Sequence, residues 1–512
     1  MKKYIIILAA SLLALTACNK DFLDTTPEDS VAPAVIFQTT DNAKLAINGI
    51  ARLMTKQYMS NQGYNGEGTI KTHYGEWPGN DLARSYTSYD YIVNFEAYDQ
   101  QSYYVTIYGW FYYYKLISNA NQIIANIDNA EGTESDRNFL KAQALVYRAY
   151  SYLMVSQLYA PRWAGSNGGN AEAIPLRLEP STDPLPKSTL AEVYAQIYKD
   201  LDDAITLFGN SDYVRPAADF YLPDVTVAHA VYARAAITRE DWATAATHAA
   251  AARTGHALMS NDDYLNGGFS TPNSEWIWGV YDAEDQTLYY YSYFAYIGSN
   301  ASSSQCRSYP SLISKELYEQ IPATDVRKAM FLEPSAAEWA ECTQTSGRST
   351  KSLYTRAKSD YASKLYGTSL VYAYMQFKFQ ATFYPGGGSF HLFRSAEMLY
   401  TEAEAKAKQG QESAAQALMN QAVQPYDPAY NCTATGTALM DEIKLYRRFD
   451  LWGEGNNWFD YKRWNQKIER KSWANGGSYV TALAKTIEPN DKNGWTFYAP
   501  LKETDYNPFF DK

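Results

Sequence analysis

The sequence predicts a mainly α protein: tetratricopeptide-like helix pairs forming a scaffold, with a large loop-rich insertion carrying short strands. Three observations predict it. The segments "AVYARAAITREDWATAATHAAAA" (230–252) and "LYTEAEAKAKQGQESAAQALMNQAV" (399–423) each read as two Ala-rich helices joined by a short polar turn. Small side chains on facing helices let backbones approach closely, as in tetratricopeptide-type pairs. Apolar residues also recur at helical spacing through 103–127 and 134–159. That periodicity vanishes from 256 to 393, where Tyr, Ser and Gly are frequent.

In chain order, "MKKYIIILAASLLALTAC" has two lysines, an apolar run too short to cross a bilayer, and the lipobox "LTAC". Residues 1–17 are read as a signal peptide, and Cys18 as the lipidated first residue of a polar tether, 18–34. The alternative is a secreted protein cut near Ala17. A helix is expected over about 39–58, then loops from about 60 to 102. After the two long helices and a Pro/Gly-rich loop, "KSTLAEVYAQIYKDLDDAITLF" opens a further helix, with Ser188 as N-cap and Glu192 near N3. The expected organisation is an N-terminal helical scaffold (35–255), a variable insertion (256–393) and a C-terminal helical scaffold (394–512). A mature chain this long exceeds the usual single core, so two packed regions are expected.

The net charge of −11 speaks against a nucleic-acid partner. Besides Cys18 there are Cys306, Cys342 and Cys432, and the five histidines are scattered, so neither a disulfide framework nor a zinc site is indicated. A Cys306–Cys342 bridge is left open. No metal and no cofactor is expected; "GGG" at 386–388 precedes no phosphate-binding helix pattern.

Tyrosine is the outlier, with 46 residues against 20 Phe and 12 Trp. A flat apolar ring with a hydroxyl suits a semi-polar ligand such as a sugar or peptide. In "THYGEWPGNDLARSYTSYDY" (72–91), Tyr74, Trp77, Tyr86, Tyr89 and Tyr91 surround the turn signal "PGND". Rings there can stack on a pyranose while Asn80, Asp81 and Arg84 bond its hydroxyls. Packing, or contact with another protein, is the competing reading. In "VYDAEDQTLYYYSYFAYIG" (280–298), alternation would put Tyr289, Tyr291 and Tyr293 on one side of an extended segment. Tyr281 and Tyr296 flank them, with Asp282 and Gln286 as polar partners. Trp276 and Trp278 in "EWIWGV" read as core.

The chain resembles the SusD/RagB family of Bacteroidetes outer-membrane lipoproteins. The resemblance rests on "LTAC" followed by "FLD", "LISNANQIIANI", "QALVYRAYSYLMVSQLY", "PLPKSTLAEVYAQIYKDLDDAI", "FRSAEMLYTEAEAKAKQG", "RRFDLWGEGNNWFDYKRW" and "FYAPLKETDYNPFF". It implies an outer-membrane, cell-surface protein held by its lipid. Such a protein captures oligosaccharides, or in some branches peptides, as the lid of a TonB-dependent SusC-like transporter, without catalysis. It also implies that residues 72–91 and the insertion help form the ligand site, and that the aromatics of 103–114 are scaffold core. Within 72–91, the coincidence of a loop-borne Trp, a turn and the polar trio Asn80, Asp81 and Arg84 makes Trp77 the expected principal platform. A glycoside hydrolase using Asp450, Glu454 and Asp460 is the rival. The four neighbouring cations Arg447, Arg448, Lys462 and Arg463 oppose it, because they would lower carboxylate pKa values where a general acid needs one raised.

Overall fold

A computed structural model of the chain describes residues 33–57, 63–284 and 291–510. The signal peptide, Cys18, most of the tether, Gln286 and Tyr289 lie outside the described residues.

The scaffold is built from α1 (Thr40–Leu53), α2 (Tyr104–Asn126), α3 (Glu134–Tyr159), α4 (Leu190–Gly209), α5 (Val225–Thr238) and α6 (Trp242–Ala252). After the insertion it resumes with α7 (Ser395–Lys408), α8 (Glu412–Val423), α9 (Gly436–Asp450) and α10 (Asn457–Trp464). Successive helices from α1 to α9 pack on one another, and α6 packs on α7, so the stack continues across the insertion. Arg234–Glu397 (2.7 Å) and Arg253–Glu402 tie the two halves at that junction.

Capping sets where the helices begin. The Thr39 side chain accepts from the Asn42 amide at 3.1 Å, and α1 stops at Leu53, short of the expected 58. The cap of α4 is Thr189, not Ser188. Its hydroxyl accepts from the Glu192 amide (3.2 Å) and the Glu192 carboxylate accepts from the Thr189 amide (2.8 Å). A capping box needs the glutamate three residues on, which only Thr189 satisfies.

Residues 60–102 are not simply loops. A short helix, Gly66–Thr69, runs into a π-helical turn, Ile70–Glu76, in which every residue is buried. With both sides covered there is no apolar stripe, so periodicity could not reveal it. Gly75 explains the tightness: a Cβ there would lie 2.2 Å from the Gly455 carbonyl oxygen.

Two short antiparallel pairings anchor the insertion. Strand β1 (Leu82–Arg84) pairs with β3 (Ser311–Ile313) in the register Leu82↔Ile313 to Arg84↔Ser311. Strand β2 (Trp276–Val280) pairs with β4 (Phe390–Arg394), which leads into α7. Trp276 and Trp278 are buried, as expected of core.

Residues 447–465 are interior scaffold. Asp460 takes Arg447 (2.6 Å) and Arg463 (2.8 Å). Asp450 and Glu454 do not pair with Arg447, Arg448 or Arg463. They converge on Arg394, and Arg327 adds a contact to Asp450 while Lys378 and His391 add contacts to Glu454. These partners are more than fifty residues away in sequence, so local spacing could not find them. Against the burial that raises them, Arg394 and Arg327 hold Asp450 below, and Arg394 and Lys378 hold Glu454 well below, the ordinary carboxylate range. Nor do the cysteines pair: Cys306, Cys342 and Cys432 are all free and buried. The Cys306 Sγ donates to the Ala295 carbonyl (3.1 Å), and burial pushes its thiol up to about 12.

Candidate functional site

The β1–β3 register builds the site. Extending it by two residues sets Tyr86 opposite Tyr309, and the rings stack at 4.0 Å with 14° between their planes. Cross-strand aromatic pairs stabilise such short ladders. Tyr86 is 42% exposed, so the pair presents a ring to solvent.

Beneath lies an aromatic cluster around Arg84. Its guanidinium sits 3.9 Å from the Trp77 ring centre and 5.4 Å from that of Tyr89. Tyr296 is 5.5 Å from Trp77, and its hydroxyl meets that of Tyr89 at 3.4 Å. His73 lies 4.1 Å from Trp77, and its Nδ1 bonds the Thr72 hydroxyl at 2.9 Å. Burial, and then the Arg84 charge, hold His73 well below the ordinary imidazole range, so it is neutral.

Arg84 is unusual. It is only 6% exposed, yet among the described residues no carboxylate pairs with it. Its side-chain partner is the Gln305 carbonyl at 3.4 Å, and Nε has none. Burial pulls its pKa down to about 10. A buried cation without a counter-charge is costly, and a ligand acceptor would offset that cost. From the same short helix as Gln305, Arg307 also lacks a carboxylate among the described residues; it bonds the Thr368 hydroxyl (3.2 Å) and lies 5.8 Å from the Tyr366 ring centre. Tyr366 in turn contacts Tyr384, which is 60% exposed.

The expected site residues separate into three groups. Tyr86, Arg84, Tyr89, Tyr296 and half-buried Tyr291 come together here. Trp77 is present but only 1% exposed, its face occupied by Arg84, so it is the floor of the site and not an open platform. Others are structural. Tyr74 is buried and donates to the Val105 carbonyl. Asp81 is buried in a bidentate pair with Arg448 (2.6 and 2.8 Å) and accepts from Asn457. Asn80 accepts from the Glu469 amide at 2.8 Å.

Tyr293 is not one of an alternating row. It opens the helix Tyr293–Ile297, buried against Phe390 with its hydroxyl on the Gly453 carbonyl (2.7 Å). The turn packs closely on Gly68, where an added Cβ would lie 3.0 Å from the Tyr293 Cβ. Tyr281 is exposed, but it contacts Phe220 and Tyr221, away from this cluster. Asp282 accepts from the Gly388 amide at 3.3 Å, and burial pushes its carboxyl up to about 6. Sequence reasoning missed Tyr309, Gln305 and His73. Tyr309 is brought to Tyr86 by pairing across more than two hundred residues, and no local pattern marks it.

Comparison with known proteins decides the family. Residues 237–508, just over half the chain, match the model of the SusD family. The chain belongs to the SusD family. Residues 21–236 match a SusD-like model described as starch-binding associating with outer membrane. A SusD-like protein P2 of Formosa agariphila is 28% identical over 253 residues, 49% of this chain and 46% of that protein. The match thus spans under half the length of that relative. Among solved structures, a SusD-like carbohydrate binding protein from Bacteroides vulgatus superposes with a TM-score of 0.75 at 23% identity, covering 93% of this chain and 98% of that one. A SusD superfamily protein from Bacteroides thetaiotaomicron gives 0.71 at 21% identity, covering 92% and 99%. At these identities the likeness is one of fold, and the mainly helical architecture agrees with it. No helix among the described residues is long and apolar enough to cross a membrane.

Proposed function

We propose that this SusD-family chain is a non-catalytic, cell-surface lipoprotein, anchored through Cys18, that captures oligosaccharides and passes them to a SusC-like TonB-dependent transporter. The observation that carries the ligand reading is the solvent-open Tyr86–Tyr309 stack beside Arg84, a buried guanidinium with no carboxylate partner among the described residues. A sugar ring stacks on Tyr86, and its oxygens accept from Arg84 and bond Gln305. The carbohydrate-binding description of a structural relative supports the same class of ligand. The low pKa values of Asp450 and Glu454 support a scaffold role for them over acid catalysis.

The test is calorimetric, on ligands found by parallel glycan and peptide arrays. Truncating an aromatic anchor costs ~2 kcal/mol, so Tyr86→Ala should weaken glycan binding roughly thirtyfold with the melting temperature held. Trp77→Ala should instead lower stability by ~3–5 kcal/mol, the usual cost of emptying a buried aromatic site. Unchanged glycan affinity in Tyr86→Ala removes this site. Binding of peptides alone by the arrays replaces the glycan reading with the peptide one.

A further inference from the structure

A second cleft lies along α2 and the C-terminal segment. Its volume is about 860 Å³, within the range of ligand-sized clefts. Tyr104, Phe111 and Tyr114 line it from one face of α2, and Pro500 to Asn507 close the other side. Tyr104 is 48% and Phe111 41% exposed. The expectation that the aromatics of 103–114 are core therefore holds for Tyr108, Trp110, Tyr112 and Tyr113, and fails for Tyr103, Tyr104 and Phe111. The Tyr114 ring is fixed by its hydroxyl, which donates to the Pro175 carbonyl at 2.7 Å.

The charges around this cleft run against the rest of the chain. Lys115, Arg177 and Lys502 line it, with Glu503 as the one lining carboxylate, in a protein of net charge −11. None of the three cations forms an ion pair among the described residues. Arg177 is held in place by donating to the Ser181 carbonyl at 2.6 Å and to the Asp183 carbonyl. Glu503 accepts from the Asn507 side chain at 2.8 Å. Lys115 and Lys502 are exposed.

We infer that this cleft is a second carbohydrate site, selective for oligosaccharides that carry carboxylate or sulfate groups. Flat exposed rings stack on sugar faces, while the unpaired cations take the anionic substituents through charge-assisted hydrogen bonds. An extended peptide fits less well. A peptide could not add here as a strand, because the long wall is a helix whose backbone groups bond one another. The site is independent of the Tyr86–Tyr309 surface, since no residue is shared. It begins near it, because Tyr104 contacts Tyr64, which contacts His73.

The experiment uses the full chain carrying Tyr86→Ala, which silences the first surface. Calorimetry is run with tetragalacturonate, a sulfated galactan tetrasaccharide, neutral maltotetraose and tetraglutamate. The expected result is binding of one or both anionic tetrasaccharides, weakened by added salt, and little binding of maltotetraose. The first two ligands tell carboxylate from sulfate. Adding Lys115→Ala and Lys502→Ala should weaken that binding by at least about tenfold, the equivalent of one lost charge-assisted contact. Both lysines are exposed, so the melting temperature should stay constant. Tyr104→Ala should weaken binding as well. Failure of both anionic sugars to bind, or binding indifferent to the lysine changes, overturns the inference. Tetraglutamate binding in their place assigns the cleft to acidic peptide. None of these outcomes bears on the Tyr86 surface, whose test is separate.

Discussion

Glu76 is a buried acid that the fold keeps close to neutrality. Its Oε1 accepts from the Gly455 amide at 2.7 Å, while Oε2 has no partner among the described residues. Burial, helped by the Asp81 charge, pushes the carboxyl up to about 8 from its ordinary 4.5. The folded state thus holds a proton that the unfolded chain has released between pH 4.5 and 8. Folding stability from this group is complete below pH 4.5 and is lost as pH rises through 8. Glu76→Gln keeps the acceptor and removes the titration. The variant should match the wild type near pH 5 and become progressively more stable than it toward pH 9. Chemical denaturation of both proteins across that range reads the difference, and a gap that does not widen with pH would show that Glu76 is ionised in the fold.

At the scale of elements, legibility followed the range of the interactions. Helix α2 was readable from its apolar spacing, and α5 and α6 from an Ala-rich pair written within about twenty residues, while α3, buried on every side from Ala142 to Ser156, was readable from its length and helix-forming composition. The Ile70–Glu76 turn was not, since burial on every side erases the stripe. The site was legible in the same proportion. The stretch 72–91 named Arg84, Tyr86 and Tyr89, but which aromatic faces solvent depends on where Ser311 and Tyr309 pair. Trp77, the largest ring, was the natural choice of platform, yet Arg84 from the next strand covers it. A prediction belongs to this scale. The π-helical turn lies backbone to backbone on the "GEG" turn, where Gly455 takes φ +87° and Gly75 leaves no room for a Cβ. Gly75→Ala must push Lys71, Glu76 and the turn at 453–455 apart. Overpacking of this kind costs ~1–3 kcal/mol. Thermal melts should show the loss, while Gly209→Ala, at a site with nothing near the added methyl, should be neutral or slightly stabilising.

At the scale of the molecule, the two helical scaffolds share one core. One large cluster of buried apolar residues runs from Ala43 to Phe510, with a small satellite where Ala236, Ile237, Ala245 and Ala246 meet Ala405. The C-terminal half completes the N-terminal one through specific contacts. Phe497 stacks on Tyr98 at 4.0 Å, and its amide donates to the Leu158 carbonyl (3.0 Å). Lys462 donates to the carbonyls of Gln157 (2.7 Å) and Ala160 (3.0 Å), and Arg470 to those of Pro78 (2.6 Å) and Gly79 (2.9 Å). Arg448 neutralises Asp81, which would otherwise be an isolated charge in the interior. Residues 35–255 expressed by themselves should therefore fail to melt cooperatively, since they would expose Tyr98 and strand Asp81. The whole chain should melt in one calorimetric transition, its scaffold halves unfolding together. Ending the chain after Thr496 should lower that transition by several degrees, because Tyr98, Tyr74 and Tyr159 all lose the Phe497 ring. The same truncation removes Pro500, Lys502 and Glu503, one wall of the α2 cleft, while sparing the Tyr86 surface. Two separate endotherms in the intact protein, or a fragment 35–255 that melts cooperatively, would show that the halves fold independently and that their contacts are a docking interface, not a shared core.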